Sequence, residues 1–276
     1  MLLVKYDSIP MGSVTKKDGK MSRKVIVAGN WKMNKLPAEG AALAAELRAQ
    51  LPAEIFAEAD VVVCPPFTAI PAVAEALRGS AIKVGAQNVH WAASGAFTGE
   101  ISAEMLKSVG AEYVIIGHSE RRQYFGETDA TVNSRLKAAL AAGLRPIVCI
   151  GELKEEREGD RTEVVLAQQI RGGFAGIEPS AMAQVVVAYE PVWAIGTGLT
   201  ATPEIAEATH RFIRKEFASL FGAAVADALR IQYGGSMKPE NARELVGCPD
   251  IDGGLIGGAA LKAESFVKLI REALGK

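Results

Sequence analysis

Glu190 stands just behind the β-branched run Val185–Val187, inside the string Ala188-Tyr-Glu-Pro-Val-Trp-Ala-Ile-Gly-Thr-Gly-Leu-Thr-Ala-Thr202. A run of that kind bounded by proline reads as a buried strand, and Pro191 cannot donate to a continuing ladder. The carboxylate, a group able to take a proton, is thereby lifted out at the end of a sheet. Beyond it, Gly196 and Gly198 flank Thr197 in a loop whose backbone N–H groups can approach an anion closely. Thr202-Pro203 then supplies an N-cap and a first helical position. His118 closes another apolar run, in Ile115-Ile-Gly-His-Ser-Glu-Arg-Arg122, where Ser119 and Glu120 read as the opening of a short helix. A helix N-terminus beside an imidazole disfavours its cation and leaves a neutral ring that can donate a hydrogen bond. Lys32 follows a third run together with Asn30, between Trp31 and Met33, a less ordinary setting for a lysine than open surface. Each has a plainer role if taken singly: a solvated strand end for Glu190, a structural ring for His118, a surface cation for Lys32.

The elements that must position these groups are short apolar runs at Val25–Ala28, Val61–Cys64, Ile82–Ala86, Tyr113–Ile116, Pro146–Ile150, Val185–Tyr189, Leu229–Tyr233 and Gly254–Ile256. Helical patterns fall between them: Leu43 with Leu47, Val132 with Leu136 and Leu140, Ile205 with Phe212, and Phe266, Leu269, Ile270 and Ala273. Strands that alternate with helices, and that are apolar throughout, mean a parallel sheet buried on both faces. An open doubly wound sheet and a closed (β/α)8 barrel both fit that alternation. Eight units in about 250 residues is the usual size of the barrel. Ala28-Gly-Asn-Trp-Lys-Met-Asn34 also lacks the glycine fingerprint that a dinucleotide-binding sheet carries after its first strand. In such a barrel the chemistry sits at the C-terminal strand ends, and the loops after the seventh and eighth strands commonly hold a phosphate. Those loops are Tyr233-Gly-Gly-Ser-Met237 and the Gly-Gly pair in Gly254-Leu-Ile-Gly-Gly-Ala259, which as a bare pattern could equally be turns.

Composition narrows the function. Lys and Arg number 31 against 32 Asp and Glu in 276 residues, a formal charge of -1, which offers no footprint for nucleic acid or an acidic membrane. No apolar stretch is long enough to span a bilayer. Cys64, Cys149 and Cys248 are odd in number and widely separated, which favours a reducing, cytoplasmic compartment. No set of His, Cys and carboxylate residues has zinc-ligand spacing, so no metal is expected. Residues 1–20 carry scattered charge and no apolar core, and are expected to form a disordered extension ahead of one domain over 21–276.

The strings Gly29-Asn-Trp-Lys-Met-Asn34, His118-Ser-Glu-Arg121, Tyr189-Glu-Pro-Val-Trp-Ala-Ile-Gly-Thr-Gly198 and Tyr233-Gly-Gly-Ser236 fall in the order found in triosephosphate isomerases, and from about Arg23 onward the chain resembles that family. The resemblance implies a TIM barrel that interconverts dihydroxyacetone phosphate and glyceraldehyde 3-phosphate without a cofactor, in glycolysis and gluconeogenesis. It implies Glu190 as the base, His118 as the electrophile and Lys32 with Asn30 as substrate contacts, with Ser119 and Glu120 in support. It assigns phosphate contacts to the main chain of Gly196, Ser236, Gly257 and Gly258. It also implies a homodimer, in which Thr98 of Gly95-Ala-Phe-Thr-Gly-Glu100 reaches the neighbouring site. Leu199 stands at the lid hinge where a lysine is frequent, Met237 where valine is common and Ala260 where serine is common. Fold does not dictate function, and a Schiff-base aldolase or another phosphosugar enzyme, or a noncatalytic scaffold, can be built on the same barrel.

Overall fold

The computed structural model describes residues 15–17, 20–195 and 200–276. Eight parallel strands close a barrel: β1 (Val25–Asn30), β2 (Ala59–Cys64), β3 (Lys83–Ala86), β4 (Tyr113–Ile116), β5 (Arg145–Ile150), β6 (Val186–Tyr189), β7 (Arg230–Tyr233) and β8 (Gly253–Ile256). Each strand pairs with the next, and β8 returns to β1 through Gly253↔Ile26 to Ile256↔Gly29. The closed sheet leaves no edge to protect. All eight sequence-predicted strands are present, with ends displaced by no more than two residues. The expectation of a disordered extension falls mostly outside the described residues; of that segment Thr15–Lys17 pairs antiparallel with Lys20–Ser22.

Alternation along each strand separates two cores. Ile26, Ala28, Val62, Cys64, Tyr113, Ile115, Ile147, Cys149, Val186, Ala188 and Leu255 fill the barrel interior. Their neighbours, such as Val27, Val61, Val63, Val148 and Ile231, face the surrounding helices. A parallel strand is therefore apolar on both faces, which is why its sequence reads as a continuous run. Gln232 is a fully buried polar residue, and its amide donates to the carbonyls of Ile26 and Gly254, each at 3.1 Å.

Helices start where the sequence places caps. Thr202 accepts the Ile205 N–H and Pro203 opens the helix Pro203–Phe221. Its buried face differs from the one expected from the spacing of Ile205 and Phe212. Ile205 is exposed, and the face against the barrel is carried by Ala206, His210, Ile213 and Phe217. Counting only bulky apolar residues misplaced the stripe, because this helix buries an alanine and an imidazole.

His210 is fully buried, with Nδ1 3.2 Å from the Asp250 carbonyl oxygen and its ring edge-on to Tyr189. Burial lowers its pKa from 6.5 to about 3. Between those values the unfolded chain takes up a proton that the folded chain refuses, so stability falls as pH falls below about 6.5. Urea unfolding at pH 7 and pH 5 should show the wild-type chain losing about 2 kcal/mol more than a His210→Asn variant. Equal losses would mean that the ring is already solvated in the fold.

Candidate active site

The sequence-predicted polar residues converge at the C-terminal mouth of the barrel. Asn30, Lys32, His118, Glu190, Ser236, Gly257 and Gly258 line one cavity of about 340 Å³, together with Asn34, Ile195, Met237, Lys238 and Leu255 among others. Gly196 and Leu199 lie outside the described residues. Thr98 is exposed in the loop after β3 and is not among the cavity's lining residues.

Glu190 follows β6 and is only 2% exposed. Its Oε2 accepts the Ser119 N–H at 2.9 Å, and its Oε1 lies 2.9 Å from His118 Nε2. Burial raises the carboxyl's pKa, but the His118 ring, the Ser119 N–H and the Lys32 charge outweigh burial and hold it below the usual carboxylate value. The group is an ionised carboxylate in a nearly dry place. Two glycines make room for it. A Cβ on Gly151 would lie 1.7 Å from the Glu190 carbonyl oxygen, and one on Gly234 would lie 2.8 Å from Glu190 Cγ. Gln169 seats Gly151 from both sides, accepting its N–H at 2.7 Å and donating to its carbonyl at 3.0 Å.

His118 is the N-cap of the helix Ser119–Phe125, and its Nδ1 accepts the Glu120 N–H at 3.2 Å. An acceptor at Nδ1 puts the proton on Nε2, which donates to Glu190. Burial disfavours the cation, while the carboxylates of Glu190 and Glu120 favour it and raise the ring's pKa on balance. The helix terminus acts in the other direction by occupying the Nδ1 lone pair. Geometry supports the neutral Nε2–H tautomer, whereas the ring's charge depends on whether Glu190 stays beside it.

Lys32 lies just past β1 with φ of 51°, a left-handed conformation that side-chain-bearing residues rarely adopt. Its N–H donates to Asn30 Oδ1 at 3.0 Å, and its Nζ meets Glu120 Oε1 at 2.6 Å. Glu120 thus braces the lysine with its carboxylate and donates its backbone N–H to the histidine that caps the helix. After β8, Gly258–Leu261 forms a 3-10 turn that carries Gly257 and Gly258 to the cavity wall.

Sequence reasoning overlooked Glu152 and Cys149. Glu152 is fully buried after β5 and accepts the Tyr189 hydroxyl at 3.0 Å and the Trp193 indole N–H at 2.9 Å, tying the turn Val192–Ala194 to the barrel. Reading every strand's closing polar residue, as was done for β1, β4 and β6, would have found it. Cys149 points into the interior beneath Glu190; burial, reinforced by that carboxylate, pushes its thiol pKa well up. Its neighbour was not visible in a one-dimensional string. Among the described residues no three His, Cys, Asp or Glu side chains are grouped to hold a metal ion.

Because Glu190 raises the pKa of His118 against burial, neutralising the carboxylate reverses the balance. In Glu190→Gln the ring should titrate below 6.5, as read from its imidazole resonances by NMR. An unchanged or higher value would break the coupling inferred from the 2.9 Å contact.

Comparisons with known proteins point to one family. Residues 25–273 match the family model described as triosephosphate isomerase. A triosephosphate isomerase of Solibacter usitatus is 57% identical over 248 residues, covering 90% of this chain and 99% of the relative. Those of Herpetosiphon aurantiacus and Clostridium novyi are each 55% identical, covering 90% of this chain and 99% and 98% of the relatives. With its closed eight-stranded barrel, its convergent Lys32, His118 and Glu190, and this similarity over nine-tenths of its length, the chain belongs to the triosephosphate isomerase family.

Proposed function

We propose that the chain interconverts dihydroxyacetone phosphate and D-glyceraldehyde 3-phosphate by proton transfer through an enediolate, with Glu190 as base, His118 as electrophile and Lys32 with Asn30 binding the developing negative charge. The observation that carries this reading is the buried, ionised Glu190 carboxylate beside the Nε2–H of His118 on a cavity that Lys32 also lines. At rest the carboxylate is held by the Ser119 N–H and by His118. Turning toward substrate removes both donors, which strengthens it as a base when a carbon-bound proton is to be taken. His118 is then relieved of its anionic neighbour and returns to the neutral form that its Nδ1 bond favours, free to donate from Nε2 to the substrate's oxygens. Lys32 supplies the cation for the oxyanion, and Glu120 keeps that cation in place.

The phosphate is assigned to the backbone of Ser236, Gly257 and Gly258, which line the same cavity, and to Gly196. Backbone donors suit a dianion because no side-chain entropy is lost in fixing them. Phosphate binding far from the reacting carbon then contributes to orienting it. Residues 21–276 are read as one domain, a reading supported by a single closed sheet running from Val25 to Ile256. A cytoplasmic location is favoured by three free cysteines.

A homodimer is part of the same proposal. Met33 is 95% exposed, and Trp91, stacked on His90, and Phe97, tilted against the same ring, are exposed by 43% and 45%. Exposed apolar side chains, two of them on the segment that bears Thr98, suit burial against a second copy.

Two outcomes test the proposal. Glu190→Gln should retain fold and inorganic phosphate binding but lower kcat by at least about 10² in a coupled assay with glyceraldehyde 3-phosphate. A nearly unchanged rate would remove Glu190 from its role. Thr98→Arg changes a residue that is exposed in the single chain, so folding of the subunit should shift by no more than about 0.5 kcal/mol. Light scattering should nonetheless report smaller particles and the assay lower activity, because an unpaired charge in a buried contact is costly. An unchanged particle size would take Thr98 out of the interface.

A further inference from the structure

Gln87 immediately follows β3 and is half-buried. Its side-chain Nε2 donates to the Lys32 carbonyl at 2.8 Å and to the Cys64 carbonyl at 2.9 Å. Both partners are acceptors, so the amide must turn its NH2 toward them and its orientation follows from chemistry. The Cys64 carbonyl also accepts the Trp31 N–H at 3.1 Å. One amide thereby ties the C-terminal ends of β2 and β3 to the residue that lies just beyond β1.

That residue is the one in a left-handed conformation. At φ of 51° Lys32 sits against the backbone preference of a side-chain-bearing residue, and its surroundings hold it there. Asn30 Oδ1 holds its N–H, Glu120 holds its Nζ, and Gln87, alone among the described side chains, holds its carbonyl. Without the Gln87 donor the carbonyl is left unsatisfied and the peptide that follows Lys32 loses its constraint. The backbone can then relax toward ordinary φ, carrying the ammonium group away from the cavity it shares with His118 and Glu190.

We propose that Gln87 is a positioning residue for the isomerisation, acting through the backbone of Lys32 to keep that residue's charge over the cavity. The inference rests on Lys32 being the cation that binds substrate charge. Displacement of a charge by about 1 Å can cost up to about 10² in rate.

The test uses Gln87→Met, which keeps the length and removes the donor, with far-UV circular dichroism and the thermal midpoint as checks of folding. Should it fail to fold, Gln87→Asn, one methylene too short to reach, takes its place. The expected result is a folded protein whose kcat/KM falls about tenfold or more, with KM for glyceraldehyde 3-phosphate raised as well as kcat lowered. A merely structural lesion would reduce the active fraction, lowering kcat and leaving KM alone. In a Lys32→Ala background, assayed at high enzyme concentration, Gln87→Met should cost less than about twofold, since its only route is already removed. Unchanged kinetics, loss of kcat alone, or the same loss in both backgrounds overturns the proposal. Lys32→Ala by itself keeps the two readings apart: if that change leaves kcat/KM near wild type, the role given to Lys32 fails and takes this one with it. A large loss from Lys32→Ala beside an unaffected Gln87→Met overturns only the role of Gln87.

Discussion

An ionised carboxylate held at 2% exposure is the constraint around which the mouth of this barrel is built. Burial pushes the Glu190 pKa up, and a protonated carboxyl is no base. The fold answers with one backbone N–H at Ser119, one ring N–H at His118 and a cation at Lys32. These belong to the ends of β4 and β1, so no local segment could assemble them. The two glycines that make room for Glu190, Gly151 after β5 against its backbone and Gly234 after β7 against its side chain, come from still other strands. Closing the sheet is what brings the ends of β1, β4, β5 and β7 to this one residue at the end of β6.

The second organising tension is at Lys32. A left-handed backbone is unfavourable, and a half-buried ammonium ion gains from a paired carboxylate. Glu120 serves both that lysine, through its carboxylate, and His118, through its N–H. The imidazole's tautomer and the lysine's position are therefore coupled through one residue at the start of one short helix. Such networks hold their members more tightly than isolated pairs do, because each bond formed reduces the freedom left for the next.

The opposite end of the barrel shows a different use of polarity. Asp60 meets Lys24 at 2.7 Å and Arg230 at 2.6 Å, and Arg145 donates to the Tyr113 hydroxyl at 2.9 Å. Despite burial, which raises it, the Asp60 pKa is lowered by those two cations. These groups satisfy one another, whereas at the C-terminal face polar groups point into an open cavity. Chemistry at one end and stability at the other is the division expected of this architecture.

Much of this was legible in one dimension. Strands buried on both faces must be apolar along their whole length, so eight continuous runs announced themselves, and eight with intervening helices made the barrel the economical solution. Glu190, His118 and Lys32 were visible as polar residues where apolar runs stop, because a group that meets a ligand has to stand at the end of a strand and not inside it. What the string could not carry was anything that depends on neighbours distant in sequence. The helix Pro203–Phe221 turned a different face inward because a neutral His210 fits beside Tyr189, a fact of packing and not of periodicity. Ser119 acts through its N–H, Gln87 through a carbonyl of Lys32, and Glu152 through the indole of Trp193, and none of these pairings has a signature in spacing. Residue types and their order determined which fold and which reactive groups this chain has; only closure of the sheet decided which backbone atoms hold them, because hydrogen bonds of about 3 Å are set by the meeting of strand ends that lie tens of residues apart.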